Sequence, residues 1–209
     1  MLIRLIIAFT LLTNSLPAAG QNSFVDTESR YEDSTGNAII IQNSYPKGGG
    51  YLDSVKKAGY TDRTGKIFSY VIFWTRIINT SVSPLELTIN FPADSLAIFP
   101  SSHSYVKLVL PTDSMKSGKV SLNDYGIIGL KSFLDTFFNK LTLFQKTINP
   151  EGECYFYAAA LIHEARGSAR AKFILKGKNI FYKISIGPYS EIIPCGQVAF
   201  KNPGGKESN

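Results

Sequence analysis

Residues 66–78 constrain the fold most, because they form the longest apolar and aromatic run after the first twenty residues. The run contains the only tryptophan, Trp74, and neither glycine nor proline interrupts it. β-branched and aromatic residues favour the extended conformation, so the run is predicted to be a long strand. Side-chain alternation then places two apolar sets on opposite faces, Phe68, Tyr70, Ile72 and Trp74 on one and Ile67, Val71, Phe73 and Ile77 on the other. Apolar side chains on both faces predict a central strand that is covered on both sides.

The rest of the chain is predicted to consist mainly of short strands separated by turn-rich segments. Leu85–Phe91 alternates apolar and polar residues without a break, as a half-buried strand does. One segment, residues 130–139, instead carries apolar residues at helical spacing: Leu130, Phe133, Leu134, Phe137 and Phe138. About eight or nine strands with one short helix predict an all-β fold, a β-sandwich of immunoglobulin-like or jelly-roll-like type. An irregular barrel is the alternative.

Three connections are short enough to predict antiparallel hairpins. The first joins the long strand to Leu85–Phe91, and the second, residues 149–153, joins strands at 141–148 and 154–163. The third, residues 177–179, joins strands at 169–176 and 180–186. A last strand, over residues 192–200, is predicted to contain a bulge near Pro194 and Gly196.

The first twenty residues have the features of a secretory signal peptide. Arg4 precedes an apolar run at residues 5–12, and Ala18 and Gly20 fit the small-residue positions before a cleavage site. The alternative is an uncleaved N-terminal anchor. Beyond it we expect a flexible leader at 21–37, one β-sandwich domain at 38–201 and a polar tail at 202–209. No later segment is long and apolar enough to span a membrane, so a secreted or periplasmic location is predicted.

The charge balance argues against nucleic-acid binding, and the cysteine count favours a disulfide. Without residues 1–20, 21 basic and 16 acidic side chains remain, an excess too small to predict nucleic-acid binding. The only cysteines are Cys154 and Cys195, and an even number in an oxidising compartment favours a disulfide between them. Two separate buried thiols are the alternative, because spacing along the chain does not establish that the side chains meet.

Several stretches resemble small uncharacterised exported proteins of the Bacteroidetes group. They lie between residues 39 and 115, at IQNSYPKGG, WTRIINTSVSPLELTINFP and VKLVLPTDSM, and later at TINPEGECYFY, ILKGKNIFYKI and the CGQ that follows Pro194. The resemblance covers most of the chain after residue 20 and implies an envelope or periplasmic setting. It carries no catalytic signature and implies no activity.

No motif for catalysis is complete, and no cofactor or metal site is predicted. His163-Glu164 resembles the start of a zinc-protease motif, but position 167 is glycine where the second histidine is required. His163 is therefore interpreted as a strand-end residue, and His103 as an exposed loop residue. The sequence leaves open whether acids on separate segments meet in space as a glycosidase pair, among them Glu86, Asp94, Asp113 and Asp135.

The strongest charge feature is a run of six basic residues with one acid, Glu164, in the same window. They are Arg166, Arg170, Lys172, Lys176, Lys178 and Lys183. In the third predicted hairpin, Arg170, Lys172 and Lys176 share one strand face and Lys178 lies in the turn. Such a patch fits an anionic glycan, lipopolysaccharide phosphates or an acidic protein surface. The alternatives are a solvated face, or lysines that protect an edge strand.

A second candidate binding element is the glycine-rich segment at residues 45–51, flanked by Tyr45 and Tyr51. Aromatic rings on loops stack on sugar faces, whereas the alternative is a simple mobile connection. Together these features predict an exported, non-catalytic β-sandwich that binds an envelope component, a glycan or a partner protein. A polysaccharide-acting hydrolase and a subunit or accessory protein of a surface assembly are the alternatives.

Overall fold

The computed structural model describes residues 24–34, 36–50, 52, 59–98 and 103–201. The predicted signal peptide, at residues 1–20, and the polar tail, at 202–209, lie outside these ranges. The described strands form two antiparallel sheets, and one α-helix and two short 3-10 turns accompany them. The prediction of an all-β sandwich with a short helix is confirmed.

Thirteen strands occur in the described residues, three of them only two residues long. They are β1 (Val25–Glu32), β2 (Ala38–Ser44), β3 (Lys47–Gly48), β4 (Tyr60–Thr61), β5 (Ile67–Asn79), β6 (Leu85–Phe91), β7 (Leu96–Ala97), β8 (Tyr105–Val109), β9 (Thr142–Ile148), β10 (Glu153–His163), β11 (Ala169–Lys176), β12 (Asn179–Ile186) and β13 (Tyr189–Phe200). The helix, α1, spans Leu130–Phe137, and the 3-10 turns span Ser117–Lys119 and Asn123–Gly126.

The larger sheet has eight strands in the order β1-β2-β5-β10-β8-β7, with β3 and β4 also paired to β5. The smaller sheet has the order β11-β12-β13-β6-β9. Strand β5 pairs with β10 along ten residues and, on its other side, with β2, β3 and β4 in succession. It is therefore the central strand that the sequence predicts.

From Tyr70 to Asn79 both faces of β5 are covered, in two separate apolar clusters, whereas Ile67 at the start of the strand, which was predicted to be covered, is 55% exposed. Phe73 and Ile77 point between the two sheets and pack with residues of the smaller sheet, among them Leu87 and Phe91. The opposite face carries a second set that packs under α1 and the 3-10 turns: Phe68, Tyr70, Ile72 and Trp74. The predicted double cover is confirmed: the smaller sheet supplies one side, and the segment from Met115 to α1 supplies the other.

Two of the three predicted hairpins are wrong. Strands β5 and β6 belong to different sheets, and so do β9 and β10, so each connection is an arch between the sheets. The buried side chain of Asn79 holds both arches. Its amide group donates to the carbonyl oxygens of Ser83 (2.8 Å), Ile148 (3.1 Å) and Asn149 (3.1 Å). Its own oxygen accepts hydrogen bonds from Ser81.

The predicted flexible leader is also wrong in part. Residues 25–32, which lack apolar periodicity, form strand β1, and β1 pairs with β2 from Val25↔Ser44 to Glu32↔Ala38. Main-chain hydrogen bonds stabilise an edge strand without an apolar pattern, which is why the sequence did not predict it. The ordered sandwich thus begins before residue 38.

The predicted disulfide is wrong, because both cysteines are free and buried. Cys154 lies on β10 in the larger sheet, opposite Ile77, while Cys195 lies on β13 in the smaller sheet and its thiol donates to the carbonyl oxygen of Ile180 (3.5 Å). Each thiol packs as a small apolar side chain in the core between the sheets. Sequence separation carried no information on whether the two side chains meet.

Replacing Asn79 with alanine should lower the free energy of unfolding by about 3 kcal/mol, because two buried carbonyl oxygens and one partly buried carbonyl oxygen lose the Asn79 amide as a donor. Urea unfolding followed by tryptophan fluorescence measures this change. Asn90→Ala, on the outer side of β6, is the matched control and should change stability by at most about 0.5 kcal/mol. Equal effects of the two substitutions would contradict the role of Asn79 in holding the arches.

The buried thiols should make the protein less stable at alkaline pH. Burial raises the pKa of Cys154 and of Cys195 to about 12, from 9.0 for an unperturbed thiol. Between these values the folded state keeps protons that the unfolded state has lost, so stability falls as pH rises. By pH 10 each thiol should lower the free energy of unfolding by about 1.4 kcal/mol relative to neutral pH.

The measurement is urea unfolding with reductant at pH 7 and pH 10, on the native chain and on Cys154→Ala/Cys195→Ala. The double variant should show a pH-dependent loss about 3 kcal/mol smaller than the native chain, and each single variant about half that difference. All other titrating groups are common to both proteins and cancel. An identical loss in native and double-variant proteins would show that the thiols are not protected from ionisation.

Candidate functional site

The hairpin β11–β12 carries the basic residues that the sequence singled out. Its register pairs Ala169 with Ile186 and Lys176 with Asn179, leaving a two-residue turn of Gly177 and Lys178. Gly177 has φ +60°, a conformation that glycine adopts without strain in such turns. The third predicted hairpin is therefore confirmed. Ala169, Ala171 and Phe173 point into the core, so Arg170, Lys172 and Lys176 share the outer face.

The outer face brings two lysines directly opposite each other. Lys172 on β11 pairs with Lys183 on β12. Side chains in this relation have Cβ atoms about 5 Å apart, and like charges so placed are destabilising. Neither ammonium group forms an ion pair with any described residue. We call the surface formed by Arg170, Lys172, Lys176 and Lys183 the basic face.

Arg170 continues the basic face towards the larger sheet. Its Nε lies 4.0 Å from a carboxylate oxygen of Asp26, and its guanidinium carbon lies 5.6 Å from the ring centre of Tyr45. Two predicted binding residues, Arg170 and Tyr45, are thus in contact, and Tyr45 is 42% exposed. A shallow pocket of about 190 Å³ lies between these residues and β1, and it is lined by Arg170, Lys172, Lys183, Ser185, Asp26 and Thr27. It holds three cations against one carboxylate.

The remaining predicted binding residues lie at the two ends of the hairpin, except for one that lies outside the residues that the structure describes. Lys176 places its ammonium 5.3 Å from the ring centre of Phe181, near the turn that holds exposed Lys178. Arg166 is exposed in the loop that precedes β11, at the end where Arg170 lies. Tyr51 lies outside the described residues.

Strand β11 is an edge strand, but the larger sheet covers its edge. The side-chain oxygen of Asn43, on β2, accepts the main-chain N–H of Phe173 (2.9 Å) and a hydrogen bond from Thr75 (3.2 Å). The Asn43 amide group donates to Thr27 (3.1 Å). Because this edge already has a partner, the need to protect it from other chains accounts poorly for the lysines.

The glycine-rich segment forms part of the larger sheet. Lys47–Gly48 is strand β3, paired with Val71 and Ile72 of β5. A Cβ atom at Gly48 would lie 2.5 Å from the carbonyl oxygen of Tyr70, so only glycine permits this approach. The carbonyl group of Tyr45 accepts a hydrogen bond from the buried Tyr125 hydroxyl (2.6 Å). Of the two predicted tyrosines, Tyr45 therefore offers its ring from a fixed backbone.

The histidines occupy the structural positions that the sequence predicts. His163 ends β10, where its Nδ1 lies 2.8 Å from the carbonyl oxygen of Ile67 and its ring packs between Phe68 and Tyr105. His103 is exposed in the loop before β8. Within the described ranges, no group of three or more His, Cys, Asp or Glu residues is arranged to hold a metal ion.

The acids left open as a catalytic pair are spread over separate parts of the fold. Glu86 lies on the outer face of the smaller sheet and pairs with Lys201 (2.7 Å). Asp135 pairs with Lys131 (2.9 Å) on α1, which covers the far side of the larger sheet. Asp113 accepts hydrogen bonds from Lys119 (3.0 Å) and from the N–H of Ile128 (2.9 Å), which lower the pKa of its carboxyl group against the effect of burial. Asp94 lies after β6, near Lys107.

Sequence reasoning placed Arg170, Lys172 and Lys176 on one face but missed the role of Lys183. The information was present, because a two-residue turn at Gly177-Lys178 fixes the register and therefore the pair Lys172↔Lys183. The three-residue turn that was predicted shifts this pairing. The contact of Tyr45 with Arg170 joins the two sheets and has no signature in the sequence.

Comparison of the chain with protein-family models, with curated proteins and with solved structures finds no match in any of the three. In the described part of the chain, no helix has the length and apolar character required to cross a membrane. The function must therefore be argued from the surfaces of the molecule itself.

Proposed function

We propose that the protein is an exported, non-catalytic binding protein whose basic face recognises an anionic glycan of the cell envelope or its surroundings. The observation that carries this proposal is the direct pairing of Lys172 with Lys183, without an acidic partner among the described residues. A pair that costs stability in the free protein is expected where a ligand anion supplies the missing charge.

The extent of the basic face favours a polymer over a small anion. Arg170 and Lys176 are six residues apart on one strand, which corresponds to about 20 Å. Lys172 and Lys183 lie between them, so cationic groups recur along the whole row. An extended chain that carries repeated carboxylate, sulfate or phosphate groups can engage several of them at once, and each contact adds to the affinity.

Aromatic and apolar groups beside the cations favour a glycan among anionic polymers. The half-buried ring of Phe181 lies opposite Ile174 on the outer face, and the exposed ring of Tyr45 lies beyond Arg170. Rings beside charged groups can pack against the apolar faces of sugar rings while the cations bind the anionic substituents. Export, through the N-terminal segment at residues 1–20, would place such a site where envelope glycans occur.

Lipopolysaccharide phosphates and an acidic protein surface share the anionic chemistry, and a binding panel separates them. The purified protein is titrated with polygalacturonate, dextran sulfate, lipopolysaccharide and poly-glutamate, and with neutral dextran as the control for charge. Preference for an anionic glycan over poly-glutamate at equal charge density supports the proposal. Equal binding of all polyanions, lost to the same extent for each in Lys172→Gln/Lys183→Gln, would show that the basic face binds anions without specificity.

Lys172→Gln/Lys183→Gln should weaken binding to the anionic glycan about tenfold and reduce its dependence on salt. Two charge-assisted contacts at an exposed surface contribute about 1.4 kcal/mol together. Isothermal titration calorimetry at two NaCl concentrations measures both effects. The same variant should be slightly more stable than the native protein, by a few tenths of a kcal/mol, because a like-charge pair is removed.

The matched control is Lys66→Gln/Lys140→Gln, which removes the same charge beside aromatic rings outside the basic face. Its affinity should differ from that of the native protein by less than twofold. If both double variants lose affinity equally, binding depends on net charge and the basic face has no specific role. If neither loses affinity, the proposal is wrong.

A further inference from the structure

A second surface follows from the unequal lengths of two neighbouring strands. Strand β8 pairs with β10 only from Val109↔Ala159 to Tyr105↔His163. Residues 153–158 of β10 pair with β5 on one side and have no strand partner among the described residues on the other. Half of a central strand in the larger sheet therefore presents an open main-chain edge.

The chain leaves β8 at this point for a physical reason. Val109 is the last residue of β8 whose N–H faces β10; by alternation the N–H of Leu110 faces away, and it donates to the hydroxyl of Thr142 in the smaller sheet (3.0 Å). Pro111 follows and has no N–H to contribute. The following loop then runs away from the ladder and forms the wall of a groove.

The main-chain groups that face this opening can be identified from two hydrogen bonds. The N–H of Asn79 donates to the carbonyl oxygen of Gly152 (2.9 Å), and the N–H of Trp74, which lies opposite Tyr157, donates to the Ser44 hydroxyl on the β2 side (2.9 Å). Because these groups alternate along a strand, the N–H and C=O groups of Glu153, Tyr155 and Tyr157 point away from β5. No other described residue forms a hydrogen bond with them.

The open edge borders a groove of about 630 Å³. Its floor is formed by five consecutive residues of β10, 153–157, and its walls by the loop at 110–117 and by four consecutive residues of β9, 143–146. Side chains of consecutive residues in a strand point to opposite faces of the sheet. A groove that is lined by consecutive residues is therefore bordered by the edges of the strands and not by one face of a sheet. Strand β9 is itself the outermost strand of the smaller sheet. Two strand edges thus meet at one groove.

The charges at the groove favour an acidic occupant. Both carboxylates that line it are already paired, Asp113 with Lys119 (3.0 Å) and Glu153 with Arg76. Lys116 and Lys146 also line the groove and are exposed, and neither forms an ion pair with a described residue. The groove therefore has two uncompensated positive charges, one on each wall.

We propose that this groove binds an extended, acidic segment of a partner protein by strand addition to β10. The segment would exchange main-chain hydrogen bonds with Tyr155 and Tyr157 and place acidic side chains near Lys116 and Lys146. Phe144 and Phe156, whose rings stack at 4.8 Å between centres, provide an apolar floor for alternate side chains. The groove lies at the opposite edge of the smaller sheet from β11, about 19 Å away across four strand spacings, and is independent of the basic face.

Recognition through the main chain should depend on charge and amide groups more than on a particular sequence, which makes a model peptide an adequate probe. The probe is a fluorescein-labelled peptide TEVETEVET, with TKVKTKVKT as the charge control. A TEVETEVET peptide with N-methyl groups on alternate amides is the control for strand addition. Fluorescence anisotropy with the purified protein should show at least tenfold weaker binding of both controls than of TEVETEVET.

Lys116→Glu/Lys146→Glu should weaken binding of TEVETEVET at least tenfold and strengthen binding of TKVKTKVKT. Lys66→Glu/Lys178→Glu changes the net charge equally at exposed positions that do not line the groove and should leave the affinities within twofold. The basic-face variant Lys172→Gln/Lys183→Gln should likewise bind TEVETEVET unchanged. Loss of peptide binding in that variant would show that the peptide binds to the basic face, and would contradict the proposal that it binds in the groove.

Amide hydrogen exchange identifies the position of the peptide. On binding of TEVETEVET, the amides of Tyr155 and Tyr157 should exchange at least tenfold more slowly, while those of Cys154 and Phe156, which face β5, should not change. Binding without this alternation, or no binding, would contradict the proposal. Sedimentation of the free protein tests the other occupant: a dimer that Lys116→Glu/Lys146→Glu dissociates would show that a second copy fills the groove, and would overturn a separate partner.

Discussion

The structure depends on one strand that is buried on both faces and paired on both edges. Strand β5 has partners along both edges, and Trp74 and Phe73, neighbours in sequence, are both almost fully buried on opposite sides. Full burial of such side chains contributes about 2–3 kcal/mol each, but only where both sides are covered. A two-layer sandwich covers one side only. The chain therefore needs a third layer, and the segment from Met115 to α1 supplies it.

This third layer is held by polar contacts as well as by apolar packing. The side chain of Lys47 is partly buried, and its ammonium group lies 4.3 Å from the ring centre of Tyr125. The ammonium group donates hydrogen bonds to the carbonyl oxygens of Val120 (2.9 Å) and Leu122 (2.8 Å). Burial lowers the pKa of Lys47, against the raising effect of Asp124. Asp124 and Tyr125 both adopt positive φ, a strained conformation that these contacts, and the bond of Tyr157 to the Tyr125 carbonyl (2.7 Å), compensate.

Local patterns in the sequence predicted the elements well, because alternation and helical spacing depend on neighbouring residues. Leu85–Phe91 and Ala169–Lys176 have the predicted boundaries, and the helix begins at the predicted Leu130. Pairing was predicted poorly, since a short connection fits a hairpin and an arch equally. The choice between them rests on Asn79, whose partners are four and about seventy residues away. The same distinction applies to the candidate site. The sequence pattern was enough to assign Lys172 to the outer face, whereas its position opposite Lys183 follows only from the register of the two strands.

The two edge strands of the smaller sheet, β11 and β9, differ in their hydrogen bonds to the rest of the molecule, and this difference is relevant to function. At β11 the side-chain oxygen of Asn43 accepts a hydrogen bond from the main-chain N–H of Phe173, and this bond joins the edge to the larger sheet. At β9 the described hydrogen bonds from outside its sheet lie at the two ends of the strand, from the N–H of Leu110 to the Thr142 hydroxyl and from the Asn79 amide group to the Ile148 carbonyl oxygen. Chains that only need to avoid aggregation protect both edges, with charges, bulges or covering segments. Protection of one edge, beside a shortened β8 that leaves β10 open, is the arrangement expected where an additional strand is to be received.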